Sequence, residues 1–269
     1  MSNVKEPHFL TRDANVPEPG VRIIGPLRED TYGLGLDWYE SLFEAGRDCL
    51  ARGEASTHYL GALDGPELME KHVPGLKVIF VLRQPVDRAY SHYWHNWKRG
   101  WPMPPFEAIL DDEPDLRYLL YMSSYRRHVS RYLEALGADR VQILLYDDLR
   151  SRPRETYREV CRFIGVDDEF SPSFDAEYNP HAVPSSRFLH RAIARTRYRS
   201  WRFLPQFVRG PAHRLRNALE ARNMRRAAYP PMPGELRARL MQHFEGDIAY
   251  VEGLTRPLPA WRAPAAASA

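Results

Sequence analysis

Residues 76–82, LKVIFVL, form a nearly continuous β-branched and aromatic run behind Pro74 and Gly75. An apolar run of that length without alternation is the pattern of a strand buried on both faces of a parallel sheet. Arg83 stands at the strand's carboxyl end, and Pro85 is suited to the first turn of a helix. A strand that runs directly into a helix is the first half of a crossover unit, which parallel pairing needs. VQILLY, residues 141–146, is a second run of the same kind. A helix-period segment over 118–136 leads into it and stops at Gly137. Further helices are expected from Pro153 to Ile164, closed by Gly165, and from Gly234 to Leu254, with Leu236, Leu240, Phe244 and Ile248 at helical spacing. The alternation predicts an α/β layer architecture.

The 269 residues, 43% hydrophobic, are enough for one sizeable core. One domain is expected over 1–262, followed by an Ala/Pro-rich tail over 263–269 that frays. Cys49 and Cys161 lie far apart, with neither metal-ligand nor disulfide spacing, and read as two buried thiols in a reducing compartment. No apolar run is long enough to span a membrane, and the first ten residues lack the pattern of a signal peptide, so a cytoplasmic location is expected.

The net charge of +3 is unevenly spread. Residues 187–226 hold twelve arginines against one acid, Glu220, interleaved with Phe, Leu, Ile and Trp. This reads as an Arg-rich helical insertion. It could face an anionic glycan or a negatively charged membrane surface carrying a lipid-linked acceptor, or it could be surface helices whose arginine stems cover the core. Nucleic acid is disfavoured, because charge is otherwise balanced and no reader motif is present.

Ligands in open parallel sheets bind at the carboxyl ends of the strands. Arg83 there, beside the exposed N–H groups of a new helix, is placed to hold a phosphate through two parallel charged hydrogen bonds, and Ser91 can add a hydroxyl donor. The plainer alternative pairs Arg83 with Asp87 and leaves Ser91 to pack.

The segment LRQPVDRAYSHY, residues 82–93, resembles the 3′-phosphate-binding segment of sulfotransferases that use 3′-phosphoadenosine 5′-phosphosulfate (PAPS). Other segments agree in order. KEPHFL (5–10) resembles the Lys-Glu-x-x-Phe-Phe segment of the glycan, heparan-type members, GLDWYESLF (35–43) the Gly-x-x-Trp-Tyr helix start, and GEASTHYL (53–60) the Glu-x-Ser/Thr-Pro-x-Tyr turn with Thr57 at the proline. The closing stretch through Trp261 resembles the terminal helix and tail of bacterial members.

The resemblance implies a P-loop-NTPase-like parallel sheet flanked by helices, and PAPS as co-substrate with no metal. It implies that Arg83 and Ser91 bind the 3′-phosphate and that Glu6 is the general base, with His8 the competing base two residues on. Trp38 and Tyr39 are expected chiefly in the core. Arg225 and Arg226 fall where the family has a loop closing over the cofactor phosphates, here without its glycine.

The family's Lys-x-Gly-Thr-Thr-like loop, which cradles the 5′-phosphosulfate, is not found among the four lysines, Lys5, Lys71, Lys77 and Lys98. Motif order puts it before Lys5, so the fold reads as N-terminally truncated, either because a longer natural chain begins upstream or because this is a degenerate, inactive relative. The expected function is sulfuryl transfer to a hydroxyl or amine of a carbohydrate or lipid-linked acceptor, with peripheral membrane contact through 187–226 as an option. The alternative is a catalytically silent module that binds nucleotide or anionic glycan. A P-loop phosphotransferase is disfavoured, because no Gly-Lys-Ser/Thr element occurs.

Overall fold

The computed structural model describes residues 1–12, 21, 30–99, 101, 103–170, 172–174, 182–184, 186, 218–219, 222–226 and 229–263. Its centre is a parallel pair, β1 (Val78–Leu82) and β2 (Val141–Leu145), in register from Val78↔Val141 to Leu82↔Leu145. Between them run α3 (Pro85–Lys98), α4 (Arg117–Tyr121) and α5 (Tyr125–Leu136), after α1 (Leu36–Ser41) and α2 (Gly65–His72). β2 runs into α6 (Tyr146–Ser151) and α7 (Pro153–Ile164), and the chain closes with α8 (Gly234–His243), α9 (Glu245–Leu254) and α10 (Pro259–Arg262). A second, antiparallel pair joins β3 (Ala182–Pro184) to β4 (Met224–Arg226). No helix among the described residues is long and apolar enough to cross a membrane. Most of the Arg-rich segment 187–226 and all of 264–269 lie outside the described residues.

The core is built against the strands. Val78, Phe80 and Leu82 on one face of β1 pack with Val129, Tyr132 and Leu136 of α5 and with Trp261. A second cluster joins Val86 and Ala89 of α3 to Leu236, Leu240 and Phe244 near the chain's end.

Four expectations change. β1 is not buried on both faces, because its other face is open and Val81 keeps 48% of its accessible surface. The helix expected over 118–136 is two helices. The Ser123 and Ser124 hydroxyls donate to the carbonyls of Leu119 and Leu120, at 3.0 and 3.1 Å, and break the ladder between α4 and α5. The terminal helix also divides, at Phe244 (φ −96, ψ 10), but its apolar stripe runs on across the break, with Leu240, Phe244 and Ile248 fully buried. Cys161 is buried, whereas Cys49 is exposed.

Helix ends follow the local chemistry. Gln84 caps α3 by accepting from the Asp87 N–H at 2.7 Å, with Pro85 in the first turn. Gly165 ends α7 in the left-handed region (φ 79), which a side chain would resist.

Candidate active site

A cleft of about 2530 Å³ opens along the exposed face of β1 and is bounded by the first residues of the chain, by 54–59 and by α3. Arg83 and Ser91 both line it. The Arg83 carbonyl accepts from the Tyr125 hydroxyl at 2.8 Å, and its guanidinium lies over the Tyr146 ring, 5.3 Å from the centroid. Asp87 does not pair with it, because Arg237 takes that carboxylate at 2.6 Å and ties α3 to α8. Among the described residues Arg83 makes no ion pair and the Ser91 hydroxyl makes no hydrogen bond, so both keep donors for the cleft they line. A fixed guanidinium on an aromatic face at a strand–helix junction, with a hydroxyl nearby, suits a phosphate dianion.

Glu6 reaches the same cleft, whereas His8 sits behind it, 6% exposed, with Nε2 3.5 Å from a Glu6 carboxylate oxygen. Both residues have left-handed backbone, φ 53 at Glu6 and 54 at His8, a conformation that costs about 1–3 kcal/mol per non-glycine residue. Their surroundings hold the turn in place. The Thr31 hydroxyl donates to the Pro7 carbonyl at 2.7 Å, the His8 N–H donates to the Ser56 hydroxyl at 3.1 Å, and the Leu10 N–H donates to the Tyr59 hydroxyl at 3.1 Å. Phe9 and Leu10, 1% exposed, anchor the segment, and Phe9 stacks on Tyr39 at 4.6 Å. Tyr39 is thus a core residue, as expected, and Trp38 packs against the same cluster.

Behind the turn lies Glu54, which accepts from the Ser56 hydroxyl at 2.7 Å. Burial holds its carboxyl above the usual carboxylate range, opposed by hydrogen bonds from Tyr59, Ser56 and Tyr39 and reinforced by the charge of Glu6. The negative charge of Glu6 thus bears on a second, more buried carboxylate.

Sequence reasoning missed several of these groups. Tyr229 lines the cleft and stacks on Trp94, with ring planes 14° apart. Burial raises its hydroxyl pKa while the charge of Arg83 pulls the other way, which puts the two in one neighbourhood. Arg225 and Arg226, read as a loop, have strand backbone in β4, paired with Val183 and Ala182, and their side chains lie outside the described residues. Arg88 lies within the motif of residues 82–93 and has a structural role. Its guanidinium donates to the Ser123 hydroxyl (2.6 Å), the Leu119 carbonyl (2.8 Å) and His92 Nδ1 (3.4 Å), tying α3 to the α4–α5 break.

The family model for the sulfotransferase domain matches residues 33–175, which contain Arg83, Ser91 and both parallel strands. The chain belongs to the sulfotransferase domain family. Its similar proteins include the mouse bifunctional heparan sulfate N-deacetylase/N-sulfotransferase 4, 25% identical over 249 residues, covering 86% of this chain and 26% of that protein. The bovine bifunctional heparan sulfate N-deacetylase/N-sulfotransferase 2 is 30% identical over 150 residues, covering 50% of this chain and 17% of that protein. The chain thus spans about a quarter or less of these relatives' length. A crystal structure of a sulfotransferase from Alicyclobacillus acidocaldarius superposes with a TM-score of 0.66 at 24% identity, over 97% of this chain and 87% of that one. That likeness supports the fold of this sulfotransferase domain, a P-loop-like parallel sheet flanked by helices.

Proposed function

We propose that this sulfotransferase domain transfers a sulfuryl group from PAPS to a hydroxyl or amine of a carbohydrate acceptor. The observation that carries the reading is Arg83, a guanidinium with no ion pair among the described residues, standing with Ser91 in the cleft that Glu6 also enters. PAPS supplies an activated sulfur whose bond to the bridging phosphate oxygen breaks as the acceptor oxygen or nitrogen bonds to it. Arg83 and Ser91 hold the 3′-phosphate and so fix where that sulfur lies. Glu6 takes the proton that the acceptor loses as it attacks. His8, less exposed and adjacent to the Glu6 carboxylate, orients that group. The names of the mouse and bovine relatives favour a heparan-type saccharide acceptor.

Calorimetry with adenosine 3′,5′-bisphosphate tests the site. Arg83→Ala should weaken binding about tenfold or more, the value of one bidentate charged contact. Equal affinity in wild type and variant would remove Arg83 from the site.

A second reading, binding of nucleotide or anionic glycan without transfer, has one observation in its favour. Among the described residues β1 pairs on one edge only, with β2. Labelled sulfate appearing on a glycan acceptor would exclude this reading, and bisphosphate binding without any transfer would support it.

A further inference from the structure

Glu6 and the two groups assigned to the 3′-phosphate stand on separate parts of the chain. Arg83 follows β1 and Ser91 lies in α3, whereas Glu6 belongs to the strained turn near residue 7. A group transfer needs base, acceptor atom and reacting centre held closely, because a misplacement of about 1 Å can cost about 100-fold in rate. The turn must therefore be set against α3.

The short 3-10 turn Thr57–Gly61 touches both sides, and three tyrosine hydroxyls from α4 and α5 hold it. Tyr121 donates to the Gly61 carbonyl at 2.5 Å and Tyr132 donates to the Tyr59 carbonyl, so these two fix backbone alone. The Tyr118 hydroxyl instead shares a hydrogen bond with a side chain, His58 Nδ1, at 2.6 Å. A phenol both donates and accepts, so this bond survives in either tautomer of the imidazole. The two rings lie 18° from parallel with centroids 5.8 Å apart, and Tyr118 is 3% exposed.

His58 carries the connection on to the base. Its ring meets the His8 ring at 89° with centroids 5.3 Å apart, and the Tyr59 ring meets His8 at 79° and 6.2 Å. His8 thus packs against two rings of one turn, with its Nε2 3.5 Å from the Glu6 carboxylate. At the other end Tyr118 meets the His92 ring of α3 edge-on at 5.7 Å. Arg88 ties the same two helices together through the Leu119 carbonyl and the Ser123 hydroxyl. Side-chain contacts therefore run unbroken from α3, which carries Ser91, to the Glu6 carboxylate.

We propose that Tyr118 is a positioning residue for the base, acting through His58 and His8 to hold the Glu6 carboxylate in place relative to α3. The role of Glu6 as base rests on the sulfotransferase reading; the chain of contacts does not.

Transfer of labelled sulfate from PAPS to a desulfated heparan oligosaccharide, together with histidine-ring NMR of the whole chain, tests this. In Tyr118→Phe, which keeps the ring and loses the hydroxyl, kcat should fall about ten- to a hundredfold. The KM for PAPS and the affinity for adenosine 3′,5′-bisphosphate should hold, because Arg83 and Ser91 are untouched. His58→Ala should show the same loss, and the double variant no more than either single one, as for residues acting through one another. Tyr121→Phe, whose hydroxyl holds only backbone, should lower the melting temperature and leave kcat unchanged. The ring signals of His8 as well as His58 should move in Tyr118→Phe, and those of His8 should stay in Tyr121→Phe. The proposal is overturned if Tyr118→Phe keeps the wild-type kcat, if the two single losses multiply in the double variant, or if the His8 signals do not move. No transfer by wild type, or transfer that survives Glu6→Gln, would overturn the reading of Glu6 as base and the positioning role with it. A His8 signal that still moves in Tyr118→Phe would then place that failure in the reading and not in the chain of contacts.

Discussion

Glu54 shows at residue scale how the molecule holds a strained turn. Its carboxylate is desolvated yet anchors Ser56, and Ser56 receives the His8 N–H. The folded-state pKa is raised, so between the ordinary glutamate value and the folded one the native state binds more protons than the unfolded chain, and stability falls as pH rises through that window. Glu54→Gln keeps an acceptor for Ser56 and removes the charge. It should therefore raise the melting temperature at pH 7.5, and the gain should vanish below about pH 4, where the unfolded carboxylate is also protonated. A variant no more stable than wild type at pH 7.5 would show that Glu54 is not held under strain. The place of Arg83 and Ser91 at a strand–helix junction was legible in the sequence, because an apolar run followed by arginine and a first-turn proline leaves few local geometries. Glu54 and Tyr229 were not. The first acquires its environment from Tyr39 and Tyr59, and the second reaches Arg83 only through the return of a chain segment far along the sequence.

Among the elements, the strands and α7 followed their patterns within two residues, because burial and glycine or proline punctuation specify them locally. The split between α4 and α5 combines a local signal, the Ser123 and Ser124 hydroxyls on the Leu119 and Leu120 carbonyls, with a side chain that arrives from α3. That side chain is Arg88, which donates to the Ser123 hydroxyl and to the Leu119 carbonyl that the Ser123 N–H has left for Leu120. The strand ends are clamped in a comparable way. Asp148, at the start of α6, receives both Arg256 nitrogens at 2.8 and 2.6 Å and Arg152 at 3.1 and 3.0 Å. Those hydrogen bonds hold its carboxyl below the usual range. Because its folded pKa is lowered, the contribution is complete above the unfolded value and drains away as pH falls. Arg256→Ala should cost about 1–2 kcal/mol in urea unfolding at pH 7, and the gap to wild type should narrow below about pH 4. A constant gap across that range would mean that the loss is packing alone.

Seen over the full fold, the last helix, α10, returns to the carboxyl ends of the two parallel strands. Trp261, 2% exposed, donates from its indole to Asp147 at 2.7 Å, and its carbonyl receives the Gln84 amide at 3.4 Å. Trp261 thus braces the carboxyl ends of both strands, through its indole at β2 and through its backbone carbonyl at Gln84, the residue beside Arg83. Trp261→Ala should cost about 3–5 kcal/mol in stability and should also weaken adenosine 3′,5′-bisphosphate binding at temperatures where the variant remains folded. Unchanged affinity in the folded variant would separate the brace from the site.

The brace also sets a clock on synthesis. Gln84 and Trp261 are 177 residues apart, and at about 5–20 residues per second a ribosome needs roughly 9–35 s to deliver the second after the first. During that interval Arg83, just past β1, and Ser91, in α3, lack the brace that the chain end supplies. A nascent chain stalled before residue 256 should therefore be cut readily by protease around 78–98, and one released after residue 262 should resist.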